Sequence, residues 1–303
     1  MKSRFPLFSL ILALVFPPAL LSHAEENWYD DVAENQEYYT AIVAMTEAGV
    51  VSGYEDGSFQ PLKEVSRVEA LKMILEATGH DKDDAGTDNA PFDDMDLDAW
   101  YAPYVDYAYQ EEILTGDDEG TLRPDASVNR VEALKMLILA ADKTSELPGV
   151  SNDMWYISYL EYAVENALLV PDSSGDYQPE ALLSRGELCE LLYRFQSHPY
   201  TGEVEFGDAT YYGYGSNGSN TASGTTLDAY GYMAAHKTLP FGTRVRVTNV
   251  NNNQSVVVTI VDRGPYGEGR IVDLTPAAFE ELGSLSTGVL DVRLEVLADE
   301  STL

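Results

Sequence analysis

The sequence predicts a multidomain α+β chain, a mainly helical three-repeat unit followed by a small β-barrel. Three observations predict it. A pattern of 33 positions recurs three times without a gap in the first two thirds of the chain. Near His198-Pro199-Tyr200-Thr201-Gly202, helical periodicity gives way to glycine, asparagine and alternating valines. The charge shifts at the same place: residues 1–200 hold 38 of the 51 acidic side chains, so the net charge of −33 is concentrated upstream. A chain this negative is repelled by phosphate backbones and anionic lipid, which argues against nucleic-acid partners. The 303 residues fit two globular units at roughly 100–200 residues each. A single cysteine, Cys189, precludes an intrachain disulfide framework, and no Cys/His cluster offers a zinc site, so neither metal nor cofactor is expected.

The first 24 residues read as a signal peptide. Lys2 and Arg4 precede an apolar stretch from Leu7 to Phe16, followed by Pro17, Pro18 and the small-x-Ala group Ser22-His23-Ala24. The run stops well short of the roughly 20 residues a membrane span needs. Cleavage is expected after Ala24, with no cysteine nearby for a lipid anchor and no later segment suited to membrane insertion.

The first repeat carries Glu37-Tyr38, Gly53, Phe59, Pro61, Arg67 and Glu69. The second has Trp100-Tyr101, Gly116, Leu122, Pro124, Arg130 and Glu132, and the third Trp155-Tyr156, Pro171, Tyr177, Pro179, Arg185 and Glu187. Eight residues before the paired position stands an aromatic-x-Asp-apolar group, Tyr29-x-Asp31-Val32 and Phe92-x-Asp94-Met95. The third copy has Leu147-Pro148-Gly149-Val150 there and loses the acid. Each copy reads as helix, loop, helix. The second helix opens with Ser66-x-x-Glu69, Asn129-x-x-Glu132 or Ser184-x-x-Glu187, a capping box in which each side chain satisfies an amide of the other residue.

Capping explains the glutamates but not Arg67, Arg130 and Arg185, since a cation in the first helical turn opposes the macrodipole. Two readings stand: a salt bridge to a nearby acid, or an anion site pairing a guanidinium with a helix N-terminus. The acidic loops lack the ligand spacing of an EF-hand and read as solvated surface.

Ser66-Arg-Val-Glu69, Asn129-Arg-Val-Glu132 and Ser184-Arg-Gly-Glu187 resemble the Thr-Arg-Ala-Glu signature of the S-layer homology (SLH) domain, and three tandem copies are that family's usual complement. The resemblance covers about residues 27–198. It implies non-covalent attachment to an anionic secondary cell-wall polymer, with Arg67, Arg130 and Arg185 as binding residues. The first copy has Glu37 where the family commonly has tryptophan, and the third lacks the Asp and the Gly, which leaves room for a groove that is structural only.

Downstream, Thr243 to Thr248 alternates, Asn251-Asn252-Asn253 turns, and Val256 to Val261 reads as a buried strand ending at Asp262 and Arg263-Gly264-Pro265. Ile271 to Leu274 is a short strand. Thr275-Pro276 then starts a helix as N-cap and N1, Gly283 closes it, and Leu290 to Leu297 alternates again. Asp262 and Asp273 thus both end strands beside loops, and His236 sits in the polar segment Ala234-Ala-His-Lys-Thr-Leu-Pro240. A lone Asp after a strand is usually a turn former, but three titratable groups at strand ends around glycine-rich loops point to a site.

Gly207-Asp-Ala-Thr-Tyr-Tyr-Gly213, Thr221-Ala-Ser-Gly224, Ala234 to Pro240, Val245 to Asn249, Val261-Asp-Arg-Gly-Pro265 and Arg270-Ile-Val-Asp-Leu274 resemble the rare lipoprotein A family in order across 206–297. The resemblance implies a small six-stranded double-psi β-barrel and lytic cleavage of peptidoglycan glycan strands. It makes Asp262 the catalytic aspartate, His236 the active-site histidine and Asp273 an acid that matters in the related expansins, which loosen walls without hydrolysis. The glutamate that follows Thr-Ala-Ser-Gly in active members is Thr225 here, and Asp228 is the candidate substitute.

Lytic cleavage takes its nucleophile from the substrate, the muramic acid 6-hydroxyl, so one acid suffices where hydrolysis needs two carboxyl groups. That acid, expected to be Asp262, needs burial to keep its proton, and Arg263 is expected to point away from it. Tyr211, Tyr212, Arg263 and Tyr266 are candidate substrate contacts, with Tyr230 a further sugar-stacking surface. The expected division is residues 1–24 signal peptide, 25–80, 81–142 and 143–198 SLH repeats, 199–205 linker and 206–298 barrel. A wall-anchored transglycosylase, exported and held at the cell wall or surface, leads the readings. A non-catalytic glycan-binding or wall-loosening protein follows, and a purely structural surface-layer component comes third.

Overall fold

The computed structural model describes residues 28–80, 92–117, 119–149, 154–197 and 200–298. The expected signal peptide and the residues His198 and Pro199 lie outside them. Among the described residues no helix is long and apolar enough to cross a membrane.

Each repeat forms the expected helix pair: α1 (Tyr39–Glu47) with α2 (Arg67–Ala77), α3 (Ala102–Gln110) with α4 (Arg130–Ala140), and α5 (Ile157–Glu165) with α6 (Arg185–Ser197). All three capping boxes form. Ser66, Asn129 and Ser184 side chains accept the amides of Glu69, Glu132 and Glu187, whose carboxylates accept the cap amides in return.

The aromatic-x-Asp group holds the loop between the two helices. Asp31 accepts the amides of Phe59 and Gln60 at 2.7 and 2.8 Å, and Asp94 those of Leu122 and Arg123 at 2.8 and 2.7 Å. Gln60, Arg123 and Gln178 occupy the left-handed region in all three copies, a conformation that non-glycine residues hold only when their surroundings fix it. The third copy, without the aspartate, uses Asp176 to accept the Gln178 amide at 2.8 Å. Gly53 and Gly116 are needed because a Cβ there would run into Tyr29 or Phe92, the aromatic member of the group. The third copy lacks that aromatic, and it has lost the glycine with it.

The copies close on one another around a pseudo-threefold axis. The amide of Val65 donates to Leu183, that of Leu183 to Val128 and that of Val128 to Val65, at 3.0, 3.0 and 3.2 Å. One continuous core, from Tyr29 to Leu192, fills all three repeats.

The C-terminal unit is a closed six-stranded barrel: β1 (Tyr200–Tyr211), β2 (Met233–His236), β3 (Arg244–Asn249), β4 (Ser255–Asp262), β5 (Arg270–Leu274) and β6 (Leu290–Leu297), in the order β1-β5-β2-β4-β3-β6. The β1–β5 and β2–β4 pairs are parallel and the others antiparallel. Helix α7 (Pro276–Leu282) lies on it, burying Phe279 and Leu282. Two details depart from expectation. The Thr275 hydroxyl does not cap α7 but donates to the Gly231 carbonyl at 2.6 Å. Gly283 leaves the helix in extended backbone, φ 167°, rather than left-handed.

A larger departure is the linker. Residues 200–205, expected to connect two independent units, belong to β1, with Tyr200, Val204 and Glu205 paired to Leu297, Glu295 and Leu294. Local composition reads as a break, yet the backbone finds a partner in β6. The barrel also packs on the repeats: the Ser255 amide donates to the Asn35 carbonyl and the Glu37 amide to the Asn253 carbonyl, at 2.6 and 2.7 Å.

Candidate active site

Strand register assembles the site. Thr210 of β1 pairs with Asp273 of β5, Asp273 with Ala235 of β2, and Ala235 with Asp262 of β4. Directly paired residues share a face of the sheet. Thr210, Asp273, Ala235 and Asp262 therefore form one row across four strands. Asp262 and Asp273 flank Ala235, whose small side chain is buried between them.

The two carboxyls have different surroundings. Asp262 accepts three hydrogen bonds: from the amides of Ala222 and Arg263 at 2.8 and 2.9 Å, and from the Tyr212 hydroxyl at 3.0 Å. Asp273 accepts one side-chain hydrogen bond, from Thr210 at 2.8 Å. Burial lifts Asp273 above the ordinary carboxylate range and the charge of Asp262 adds to this, while the Thr210 hydrogen bond and Arg270 oppose it. The sequence reading made Asp262 the proton-retaining acid and gave Asp273 no such burial. Tyr212 is also driven up, by burial first and then by its bond to Asp262, so it remains a hydrogen-bond donor.

His236 is not brought to the aspartates. It follows Ala235 on β2 and so faces the other side, with its partner Val272 and with Ala209, both in the barrel core. Its Nδ1 accepts the Leu239 amide at 3.0 Å, which puts the ring hydrogen on Nε2, 3.3 Å from Glu205 Oε2. Only 2% of the side chain is exposed. The ring secures the 236–239 turn.

Tyr211 is likewise turned inward, its ring 4.7 Å from that of Phe279 and its hydroxyl on the Leu285 carbonyl. Alternation along β1 explains the split: 210 and 212 face the acids, 209 and 211 the core. The Arg263 guanidinium stacks 3.8 Å over the Phe241 ring and donates to the His236 and Asp262 carbonyls, so it points away from the Asp262 carboxylate. Tyr266 and Tyr230 are 84% and 70% exposed. Asp228 accepts the Tyr230 amide within its own turn. Thr225 is exposed on a loop whose Ala222 amide reaches Asp262. Thr210 and the Ala222 amide were not singled out by the sequence, although alternation with Tyr212 marks Thr210.

The lytic transglycolase family matches residues 204–294, and the S-layer homology domain matches 29–71, 91–134 and 150–189. The chain joins three SLH repeats to an RlpA-like barrel. Two cyanobacterial proteins named "Probable endolytic peptidoglycan transglycosylase RlpA" are similar to it. The one from Synechocystis is 35% identical over 161 residues, 53% of this chain and 49% of that protein. The one from Nostoc is 50% identical over 93 residues, 30% of this chain and 25% of that protein. The endolytic peptidoglycan transglycosylase RlpA of Vibrio cholerae is 44% identical over 130 residues, 42% of this chain and 49% of that protein. The chain thus spans no more than about half the length of these relatives.

The SLH arginines lie at the corners where one repeat meets the next. Arg67 donates to the Thr115 carbonyl and stands 3.6 Å from Glu132. Arg130 donates to the Tyr177 and Gln178 carbonyls and to Glu187. Arg185 donates to the Phe59 and Ser52 carbonyls, both at 3.1 Å, beneath the rings of Tyr54 and Phe59. Each arginine thus bridges two repeats, and Arg185 also borders a groove. The groove at Arg185 encloses about 270 Å³ and is lined by Lys72, Glu69 and Trp100 among others. Arg67 Nε is buried without a hydrogen-bond partner among the described residues.

Proposed function

We propose that the chain is an exported, wall-attached lytic transglycosylase whose RlpA-like barrel cleaves peptidoglycan glycan strands to 1,6-anhydro-muramic acid ends. The observation that carries this reading is the row holding Asp273 and Asp262 with unlike surroundings, since acid and base roles separate where environments push two carboxyls apart. Asp273, favoured in its neutral form by burial, gives its proton to the glycosidic oxygen. The muramic acid 6-hydroxyl attacks the anomeric carbon, and Asp262 accepts the hydroxyl proton. No water is consumed, so no third group is needed to activate one. Tyr212 orients Asp262, Thr210 orients Asp273, and exposed Tyr266 and Tyr230 offer rings to the sugars. His236, Tyr211 and Arg263 act in support, by holding the turn, the core and the 263–266 loop. The similarity to proteins named endolytic peptidoglycan transglycosylases supports the substrate class.

The SLH repeats hold the enzyme on an anionic wall polymer through the corner arginines, raising the local concentration of barrel at its substrate. Arg67→Ala combined with Arg185→Ala is expected to reduce sedimentation with purified walls. Equal pelleting of the double variant and the wild type would refute the anchor.

A second reading, glycan binding or wall loosening without cleavage, is favoured by Thr225. If the loop glutamate only assists the aspartates, Thr225→Glu should raise the release of anhydro-muropeptides severalfold above a measurable wild-type rate. Release from the variant alone, with none from the wild type, would establish the second reading.

A further inference from the structure

We propose that the third SLH corner is a socket for the chain's own barrel, leaving two corners open to a wall polymer. The repeats are related by position, so their corners can be compared residue by residue. The first corner holds Arg185, Lys72 and Trp100 around one groove. The second holds Arg67, Lys135 and Trp155, with the Lys135 ammonium 5.5 Å over the Trp155 ring. At the third, Arg130 remains, but Glu190 stands at the lysine position and Glu37 at the tryptophan position. Two cation-and-aromatic positions have become acids, which inverts the ligand the corner accepts.

The barrel supplies the matching cations. Arg293 donates to Glu37 Oε1 at 2.6 Å and Arg246 to Glu190 Oε1 at 2.9 Å. Arg246 also reaches the Glu37 carbonyl. Glu295 of the barrel accepts from Arg194 of α6 at 2.6 Å and from Arg246 and Arg293. Three arginines and three glutamates thus balance, drawn from both units, and the Arg194 and Arg246 guanidiniums both pack on the Tyr200 ring. The helix has adapted as well. Gly186 replaces the valine of the other copies (Val68 and Val131), and a Cβ there would collide with the ring of Tyr38, the residue next to Glu37. Only the third copy lets that segment settle on its helix.

Barrel and repeats therefore move as one body, and the catalytic row keeps a fixed orientation to the other two corners. The number of open grooves rests on the anchoring reading above; the docking does not.

The test restores at the third corner what the other two carry. In the full chain, Glu37→Trp with Glu190→Lys is expected to retain native far-UV circular dichroism and to increase the radius of gyration in small-angle scattering. Proteolysis within residues 198–205 should accelerate at least ~tenfold as β1 frays. Should the double variant not fold, Arg293→Met gives the same readouts with one barrel cation removed. Wild-type scattering that fits only two independently moving bodies would overturn the docking. So would variants that scatter and resist protease as the wild type does. In wall sedimentation, Arg67→Ala and Arg185→Ala should each weaken pelleting while Arg130→Ala does not. Equal losses from all three would overturn the assignment of the third corner. No loss from any refutes polymer binding through these arginines, and with it the count of open grooves, while the scattering arm still decides the docking.

Discussion

Asp273→Asn is expected to abolish the release of anhydro-muropeptides and, at neutral pH, to make the folded protein more stable. Loss of a positioned general acid costs about 10²–10⁴ in rate, and asparagine keeps the size and the acceptor that Thr210 needs. The gain in stability follows from the direction of the shift. Burial raises the folded carboxyl above its unfolded value, so between those values the native state binds more protons than the unfolded state. Stability falls as pH rises through that window, and above it the ionised side chain is a standing cost. Asparagine removes that cost. Thermal melts from pH 4 to 8 should show the variant pulling ahead of the wild type as pH rises, and chromatography of digested sacculi should show its product gone. Wild-type product release by the variant would remove Asp273 from the chemistry. Asp262→Asn is expected to lose the same activity, because the row needs both members.

Glu295→Gln carries the largest expected effect on stability. Glu295 is 1% exposed and accepts from three arginines drawn from both units. Neutralising it strands a buried positive charge, and breaking a buried ion pair from one side typically costs ~3–5 kcal/mol. Replacing such a set with apolar residues of equal volume can be neutral, so the cost belongs to the stranded charge rather than to the bridge. Burial alone would raise the Glu295 carboxyl, but Arg246, Arg194 and Arg293 more than offset this and hold it well below the usual carboxylate range. A depressed folded value means that the stabilisation is present above the ordinary glutamate value, near 4.3. It is lost progressively as pH falls toward the folded value. Denaturant titrations at pH 7 and pH 3 should therefore show the wild type losing stability in acid and the variant losing less. A variant as stable as the wild type at pH 7 would show that the network holds nothing together.

The helical unit was legible almost in full, because its signals are local. Capping boxes, the aromatic-x-Asp groups and the helical spacing each act within a few residues, and even the joint loss of aromatic and glycine in the third copy follows from one packing contact. Strands β3 to β6 were legible from alternation and turn residues, whereas β1 and β2 were not read as strands. What escaped were consequences of register and docking. That Asp262 and Asp273 flank Ala235 is set by strand pairing between segments far apart in the chain, and the same pairing turns His236 and Tyr211 away from the cleft. Sequence proximity to a site could not distinguish 235 from 236. Glu37 was visible as a departure from the repeat, but Glu190 was not singled out, and their partners Arg293 and Arg246 lie in the other unit. The Tyr200 segment read as linker because its partner strand, β6, comes about 90 residues later.

The most direct measurement is mass spectrometry of the soluble products released from purified sacculi by the wild-type protein. Muropeptides ending in 1,6-anhydro-muramic acid, absent with Asp262→Asn and with Asp273→Asn, are the expected result. Products with reducing muramic acid ends, or none above the variants at high protein concentration, would contradict lytic cleavage by this barrel.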